Sequence, residues 1–363
     1  MYNILAITAA LFTTASSFVL YPEAFIQDPV PHHPNLTPTP SSPSDDDTPL
    51  PVVIWHGLGD SSTADGLKDV ATLIDTIHPG TYTYIIQLGT DGNSDRSASF
   101  FGNVSLQVES VCAQLAADPI LSTAPAIDAV GFSQGGQFLR AYVQKCNWPP
   151  VRNLITFGSQ HNGIREFQKC KSAFDIVCQG ANALLRSGGV WSKYVQSRLV
   201  PAQYFRDPEP EEYAKYLESS AWLADVNNER KVKNATYAEN LASLDNLVMV
   251  LFEEDLTVIP KESSWFAEVN RTDDSVTELR ERKIYKEDWI GLKALDKKGG
   301  LVFEKMKGEH MQLNESDLKR LFGEYFGPMD SKTIVQAALE DLEAEWEMVE
   351  KEWNEIVDWV DDL

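Results

Sequence analysis

Basic side chains are in short supply, with 31 lysines and arginines against 54 aspartates and glutamates and a formal net charge of -23. Phosphate backbones and anionic headgroups repel so acidic a chain, which argues against nucleic-acid binding and against membrane attachment through a basic patch. Cysteine is scarce, four in 363 residues and none in a Cys-x-x-Cys pair, so the usual zinc ligand set is missing and no metal site is expected. Only six histidines are available as general bases. Beyond residue 20 no apolar run is long enough to cross a bilayer.

What is present begins with MYNILAITAALFTTASSFVL, residues 1–20, apolar, rich in small residues and free of acids. It reads as a secretory signal peptide. Residues 21–50 are rich in proline and serine with an acidic run; that composition cannot bury apolar surface and reads as a linker. Asn-x-Ser/Thr sequons at Asn103, Asn234, Asn270 and Asn314, with a poorer one at Asn35 ahead of Pro38, agree with secretion and predict glycosylation. So does the even set Cys112, Cys146, Cys170 and Cys178. The expected location is the secretory pathway, ending in a lysosome or vacuole or outside the cell.

Ordered sequence opens at PVVIWHGLGD. From there β-branched runs (52–55, 81–88, 126–132, 153–158, 246–252 and 300–306) alternate with helical patterns such as residues 104–117 and QGGQFLRAYVQKC. Alternation of this kind predicts an α/β fold with a mostly parallel central sheet, and a ligand site along the C-terminal edge of the strands. One α/β domain is expected over 51–328. Helical sequence at about 164–243 is too long for a simple crossover and reads as an inserted lid.

In AVGFSQGGQF, Ser133 lies between Gly131 and Gly135, after a strand and before a helix. This is the pattern of the nucleophile elbow of an α/β-hydrolase, a sharp turn that lifts a serine hydroxyl above the sheet edge. The N–H of Gln134 then opens a helix, where orphan amides favour negative charge. The hydroxyl needs a base, and in this fold the acid and then the histidine follow the serine in chain order. His310 is the histidine that follows the last β-run. For the acid, the strand end offers Glu253, Glu254 and Asp255, and chain order does not choose among them. The glycine-rich loop His56-Gly57-Leu58-Gly59 is the expected second source of oxyanion donors, through the Leu58 N–H, with His56 holding the loop.

VIWHGLGDS, GFSQGGQFLRAYVQKC, NLITFGSQHNG, YVQSRLVPAQYFRDP, LADVNNER, FEEDLTVIPKESSWF and LVFEKMKGEHMQL together resemble the palmitoyl-protein thioesterases, soluble lysosomal α/β-hydrolases, over roughly residues 51–327. The resemblance implies hydrolysis of long-chain fatty acyl thioesters on protein cysteines, with no cofactor or metal and with an S-acylated protein or peptide as partner. It puts the nucleophile on Ser133, the histidine on His310, the acid on Asp255 and the oxyanion amides on Leu58 and Gln134. It also implies disulfides Cys112–Cys146 and Cys170–Cys178 and a glycan on Asn234. Two departures stand out. The family's adjacent cysteine pair is replaced by Ser62 and Thr63, which removes a local staple from the oxyanion loop, and Glu254 stands where the family has the asparagine of a sequon. The triad alone does not separate thioester from oxyester, so a lipase or carboxylesterase and a non-catalytic lipid-binding glycoprotein remain as alternatives. Leu184, Leu185, Trp191, Val195, Tyr204 and Trp222 are candidates for lining an acyl groove or for the lid's own core.

The last segment, 329–363, is acidic: residues 330–363 hold twelve acids and two lysines. Val335, Leu339, Leu342, Trp346, Val349, Trp353, Ile356 and Val360 recur at alternating steps of four and three, the period of one helix face. The stripe is expected to pack on the protein's own surface or on a partner helix.

Overall fold

The computed structural model describes residues 48–167, 179 and 189–329. The expected signal peptide, the linker up to residue 47, Asn35, Cys170, Cys178, Leu184, Leu185 and the acidic tail from residue 330 lie outside the described residues.

Six strands form a central sheet: β1 (Val52–Trp55), β2 (Thr83–Ile85), β3 (Ile127–Phe132), β4 (Val151–Phe157), β5 (Asn246–Phe252) and β8 (Leu301–Met306). Their order is β2-β1-β3-β4-β5-β8, and every neighbouring pair is parallel. A short antiparallel pair, β6 (Glu268–Val269) with β7 (Val276–Thr277), lies apart from it. Sequence predicts the second strand over 81–88, and only three of those residues form one. At the sheet edge a short strand limits the exposed row of unpaired backbone groups.

The strands are β-branched because both sheet faces are covered. Along β1, Val53 and Trp55 enter one core cluster, while Val52 and Ile54 enter the other. All four are almost completely buried, at about 1.5–3 kcal/mol for a side chain of that size. Helix α1 (Asp65–Ile77) follows β1 and covers one face through Leu67, Val70 and Ile74, at helical spacing. Helices α3 (Val104–Ala117) and α4 (Gln134–Lys145) cover the other through Val104, Val108, Val111, Phe138, Tyr142 and Val143.

This arrangement positions the site. Chain order reverses between β1 and β3, and the helices that follow those strands leave on opposite faces. The loops after β1 and β3 therefore diverge above the sheet and open a crevice at its C-terminal edge. Between β4 and β5 the described residues form short helices, Lys193–Gln196, Val200–Gln203, Pro210–Ser219, Leu223–Val226 and Ala235–Ser243. At the opposite edge Arg152 joins its guanidinium to Asp128 (3.0 and 2.5 Å) and to the carbonyls of Gly327 and Pro328 (3.1 and 2.9 Å). Pro49 bridges Pro328 there, so the two ends of the domain close on each other.

A disulfide joins Cys112 on α3 to Cys146 at the end of α4, with 34 residues of separation. Closing a loop of that length is worth about 4 kcal/mol in the chain-entropy account. No helix among the described residues is long and apolar enough to cross a membrane.

Candidate active site

Ser133 follows β3 directly and precedes the first residue of α4, with φ 53° and ψ -122°. A side chain in that region carries strain of about 1–3 kcal/mol, and it aims the hydroxyl away from both elements. The flanking glycines let strand and helix close on each other. A Cβ on Gly131 would lie 2.3 Å from the Gly136 Cα, and one on Gly135 would lie 2.3 Å from the Trp55 carbonyl oxygen.

Three loops at the C-terminal ends of β3, β5 and β8 bring Ser133, Asp255 and His310 together. His310 Nε2 lies 3.0 Å from Ser133 Oγ, and His310 Nδ1 lies 2.6 Å from Asp255 Oδ2. The Asp255 carboxylate is buried and the ring is largely so, with 1% and 13% of the side chain exposed. Its second oxygen, Oδ1, accepts from the N–H groups of Thr257 and Val258 at 2.8 and 2.9 Å. Glu253 and Glu254, which chain order cannot separate from Asp255, are exposed.

Residues 51–310 match the family described as Palmitoyl protein thioesterase. The chain belongs to that family. It is 40% identical over 271 residues to "Palmitoyl-protein thioesterase 1" of Caenorhabditis elegans, covering 74% of this chain and 89% of the relative. It is 28% identical over 266 residues to "Lysosomal thioesterase PPT2" of Homo sapiens, covering 71% and 80%. Among solved structures it is similar to Est1E of Butyrivibrio proteoclasticus, solved with ferulic acid bound, with a TM-score of 0.43 and 12% identity over 78% of this chain and 91% of that one. Members of the palmitoyl protein thioesterase family are hydrolases, and this chain is one on an α/β-hydrolase fold.

Within this thioesterase fold, Gln134 is the first residue of α4, so its N–H has no acceptor inside the helix and is free to face the crevice. Leu58 lies in the loop after β1, half-buried against the cluster Phe100, Val195, Leu199 and Ala202. Sequence reasoning missed the element that holds this loop, α2 (Gly92–Phe100). Its Asp95 accepts from Ser62 N–H at 2.7 Å and Leu88 N–H at 2.8 Å. His56 Nε2 is 3.3 Å from Asp95 Oδ2, at ion-pair distance but off the line of a hydrogen bond, while its Nδ1 is 3.0 Å from the Gly57 carbonyl oxygen. Burial opposes a charge on either side chain. For Asp95 it is outweighed by His56 and the two N–H donors, which hold the carboxyl well below its usual range. For His56 it is outweighed by Asp95 and the Gly57 carbonyl, which raise the imidazole. Ser62, where the family's staple is missing, is thus tied to α2 through its own backbone. The signal for α2 was a capping box, Asp91 with Ser94, in a stretch with almost no hydrophobic pattern.

Of the residues proposed for an acyl groove, Val195, Tyr204 and Trp222 are buried at 1% exposure or less, and Trp191 packs half-buried on the same core as the last two. Trp222 meets Phe138 edge-on at 5.2 Å, and the Tyr204 hydroxyl donates to Gln134 Oε1 at 3.2 Å. Asn103, Asn234 and Asn314 cap helices with their side-chain oxygens, and Asn270 closes a turn onto Thr272 N–H. Asn234, Asn270 and Asn314 are exposed.

Proposed function

We propose that the chain is a serine thioesterase that releases long-chain fatty acids, palmitate above all, from S-acylated cysteines of proteins or peptides. The observation that carries the reading is the unbroken contact from Ser133 through His310 to Asp255 in a chain of this family. Asp255 accepts from Nδ1–H, which leaves Nε2 unprotonated and facing the Ser133 hydroxyl. As Oγ attacks the acyl carbon, its proton passes to Nε2 and the carbonyl electrons move to oxygen. The N–H groups of Leu58 and Gln134 hold that oxyanion, each worth about 100- to 1000-fold in rate. Collapse breaks the C–S bond, and the cysteine sulfur leaves with the proton from His310. Water then attacks the acyl-serine by the same path and frees the fatty acid. The thiol needs little acid assistance, with a pKa of about 8.5.

The fatty chain gains about 0.8 kcal/mol per buried methylene, and among the described groove candidates the half-buried Trp191 is the one with surface to offer it, since Val195, Tyr204 and Trp222 are enclosed in the core. A signal peptide at 1–20, glycans on Asn103, Asn234, Asn270 and Asn314, and a second disulfide, Cys170–Cys178, suit a protein delivered to a lysosome or vacuole.

The test compares hydrolysis of palmitoyl-CoA with a matched palmitate oxyester, for the wild type and Ser133→Ala. The reading expects faster turnover of the thioester and none by Ser133→Ala. Preference for the oxyester would make the protein a lipase or carboxylesterase. Palmitate binding without turnover of either would make it a lipid carrier.

A further inference from the structure

Helix α2 presents a polar face to the site, which is unusual for an inward helix face. Asp95 and Ser99, four residues apart and so on one face, have 0% and 1% exposure. Ser99 touches both arms of the crevice. Its hydroxyl accepts from Gly59 N–H at 2.8 Å and donates to the Arg96 carbonyl at 2.6 Å. Its carbonyl accepts from Gln134 Nε2 at 3.1 Å. Lying at the end of α2, that carbonyl has no partner within the helix and is open to an outside donor. Arg96 Nε donates to the Gly59 carbonyl at 2.9 Å, so α2 holds Gly59 by both its N–H and its C=O. Gly59 sits at φ +80°, a conformation that favours glycine, in the turn that Asp60 N–H closes onto the Gly57 carbonyl at 3.4 Å and that carries the neighbouring Leu58 amide.

We infer that Ser99 is a positioning residue that fixes the spacing of the two oxyanion donors, with Asp95 anchoring the base of the same loop. This rests on the reading of the Leu58 and Gln134 N–H groups as those donors. One side chain and its own carbonyl reach the loop after β1 and the residue that opens α4, the two arms that must stay in register as charge develops on the substrate oxygen. The deletion of either tie frees one arm while the triad remains intact. Misplacement of a reacting group by about 1 Å costs up to roughly 100-fold in rate.

The experiment measures kcat and KM on palmitoyl-CoA for Ser99→Ala, Gln134→Leu and the double variant, with kcat expressed per site titrated by a long-chain fluorophosphonate. Each single variant is expected to lose roughly 10- to 100-fold in kcat with KM within about twofold. The double variant is expected to lose less than the product of the two, because one freed arm already spoils the spacing. Wild-type kcat per site in Ser99→Ala, a change in KM alone, or losses that multiply would overturn the inference. If Ser99→Ala does not fold, Gln134→Leu decides, since its backbone donor is untouched. Ser133→Ala, run alongside, separates two failures. If it is dead while Ser99→Ala is unimpaired, the clamp alone is wrong; if it turns over, the serine reading falls and the clamp with it.

Discussion

Asp255 and His310 meet at 2.6 Å, and the carboxylate oxygen that does not face the ring accepts from Thr257 and Val258 N–H. Both oxygens are therefore committed, and the carboxylate cannot rotate without breaking one set of bonds. A fixed acceptor at Nδ1 sets the tautomer and leaves Nε2 pointing at Ser133.

Asp255→Asn tests that relationship. The asparagine oxygen keeps the Thr257 and Val258 bonds, which turns its NH2 toward His310. Facing a donor, Nδ1 must accept, and the proton moves to Nε2, where it blocks transfer from Ser133. Turnover of palmitoyl-CoA should fall by about 10,000-fold with KM little changed and the thermal midpoint near wild type. Near-normal kcat in this variant would hand the role of acid to Glu253 or Glu254.

The parts of this architecture that could be read from sequence are those with a local cause. β5 is a run of apolar residues because both sheet faces are covered, and Gly131 and Gly135 mark the elbow because any side chain there would strike backbone. Chain order picked out His310 without coordinates. It could not choose among three consecutive acids, since the choice depends on which carboxyl is buried beside the ring, a tertiary fact; family resemblance made the choice. Helix α2 escaped notice for a related reason. Two of its three buried residues, Asp95 and Ser99, are polar because they bind a loop rather than a hydrophobic core, so no apolar period betrays the helix. Sequence also cannot say whether an aromatic such as Trp222 or Tyr204 faces a ligand or a neighbouring core residue; both are enclosed in the core.

The lid-side segments hold a buried ion pair with its own expected outcome. Glu229, 1% exposed, lies 3.1 Å from the Arg206 guanidinium and accepts from the Tyr213 and Tyr216 hydroxyls at 2.8 and 2.9 Å. Burial would raise its carboxyl, but Arg206 and then Arg282 outweigh that and hold it below the ordinary glutamate value. Glu229→Gln removes the charge and leaves Arg206 with Glu268 alone, at 2.6 Å. Breaking one side of a buried pair costs about 3–5 kcal/mol. Urea titration should show an unfolding free energy lower by that amount, read as a lower midpoint at unchanged slope, and the Glu229 contribution in the wild type should vanish as pH falls through its depressed folded pKa. An unchanged midpoint would mean that water or a shifted Glu268 replaces the lost charge.

The pair His56–Asp95 predicts a pH dependence with two limits. His56 is raised above its ordinary 6.5, so its contribution is complete below that value and is lost as pH rises through the folded pKa. Asp95 is depressed below 3.8, so its contribution is complete above that value and is lost as pH falls through the folded pKa. Asp60 adds a weaker attraction for the imidazolium. Between those limits both groups are charged and the loop after β1 is held most firmly. The difference in thermal midpoint between wild type and His56→Gln should therefore be largest near about pH 5 and shrink toward about pH 9. Differential scanning of the two proteins across that range reads the difference directly and cancels groups common to both. A constant gap would mean that His56 holds the loop as a neutral ring, through Gly57 alone.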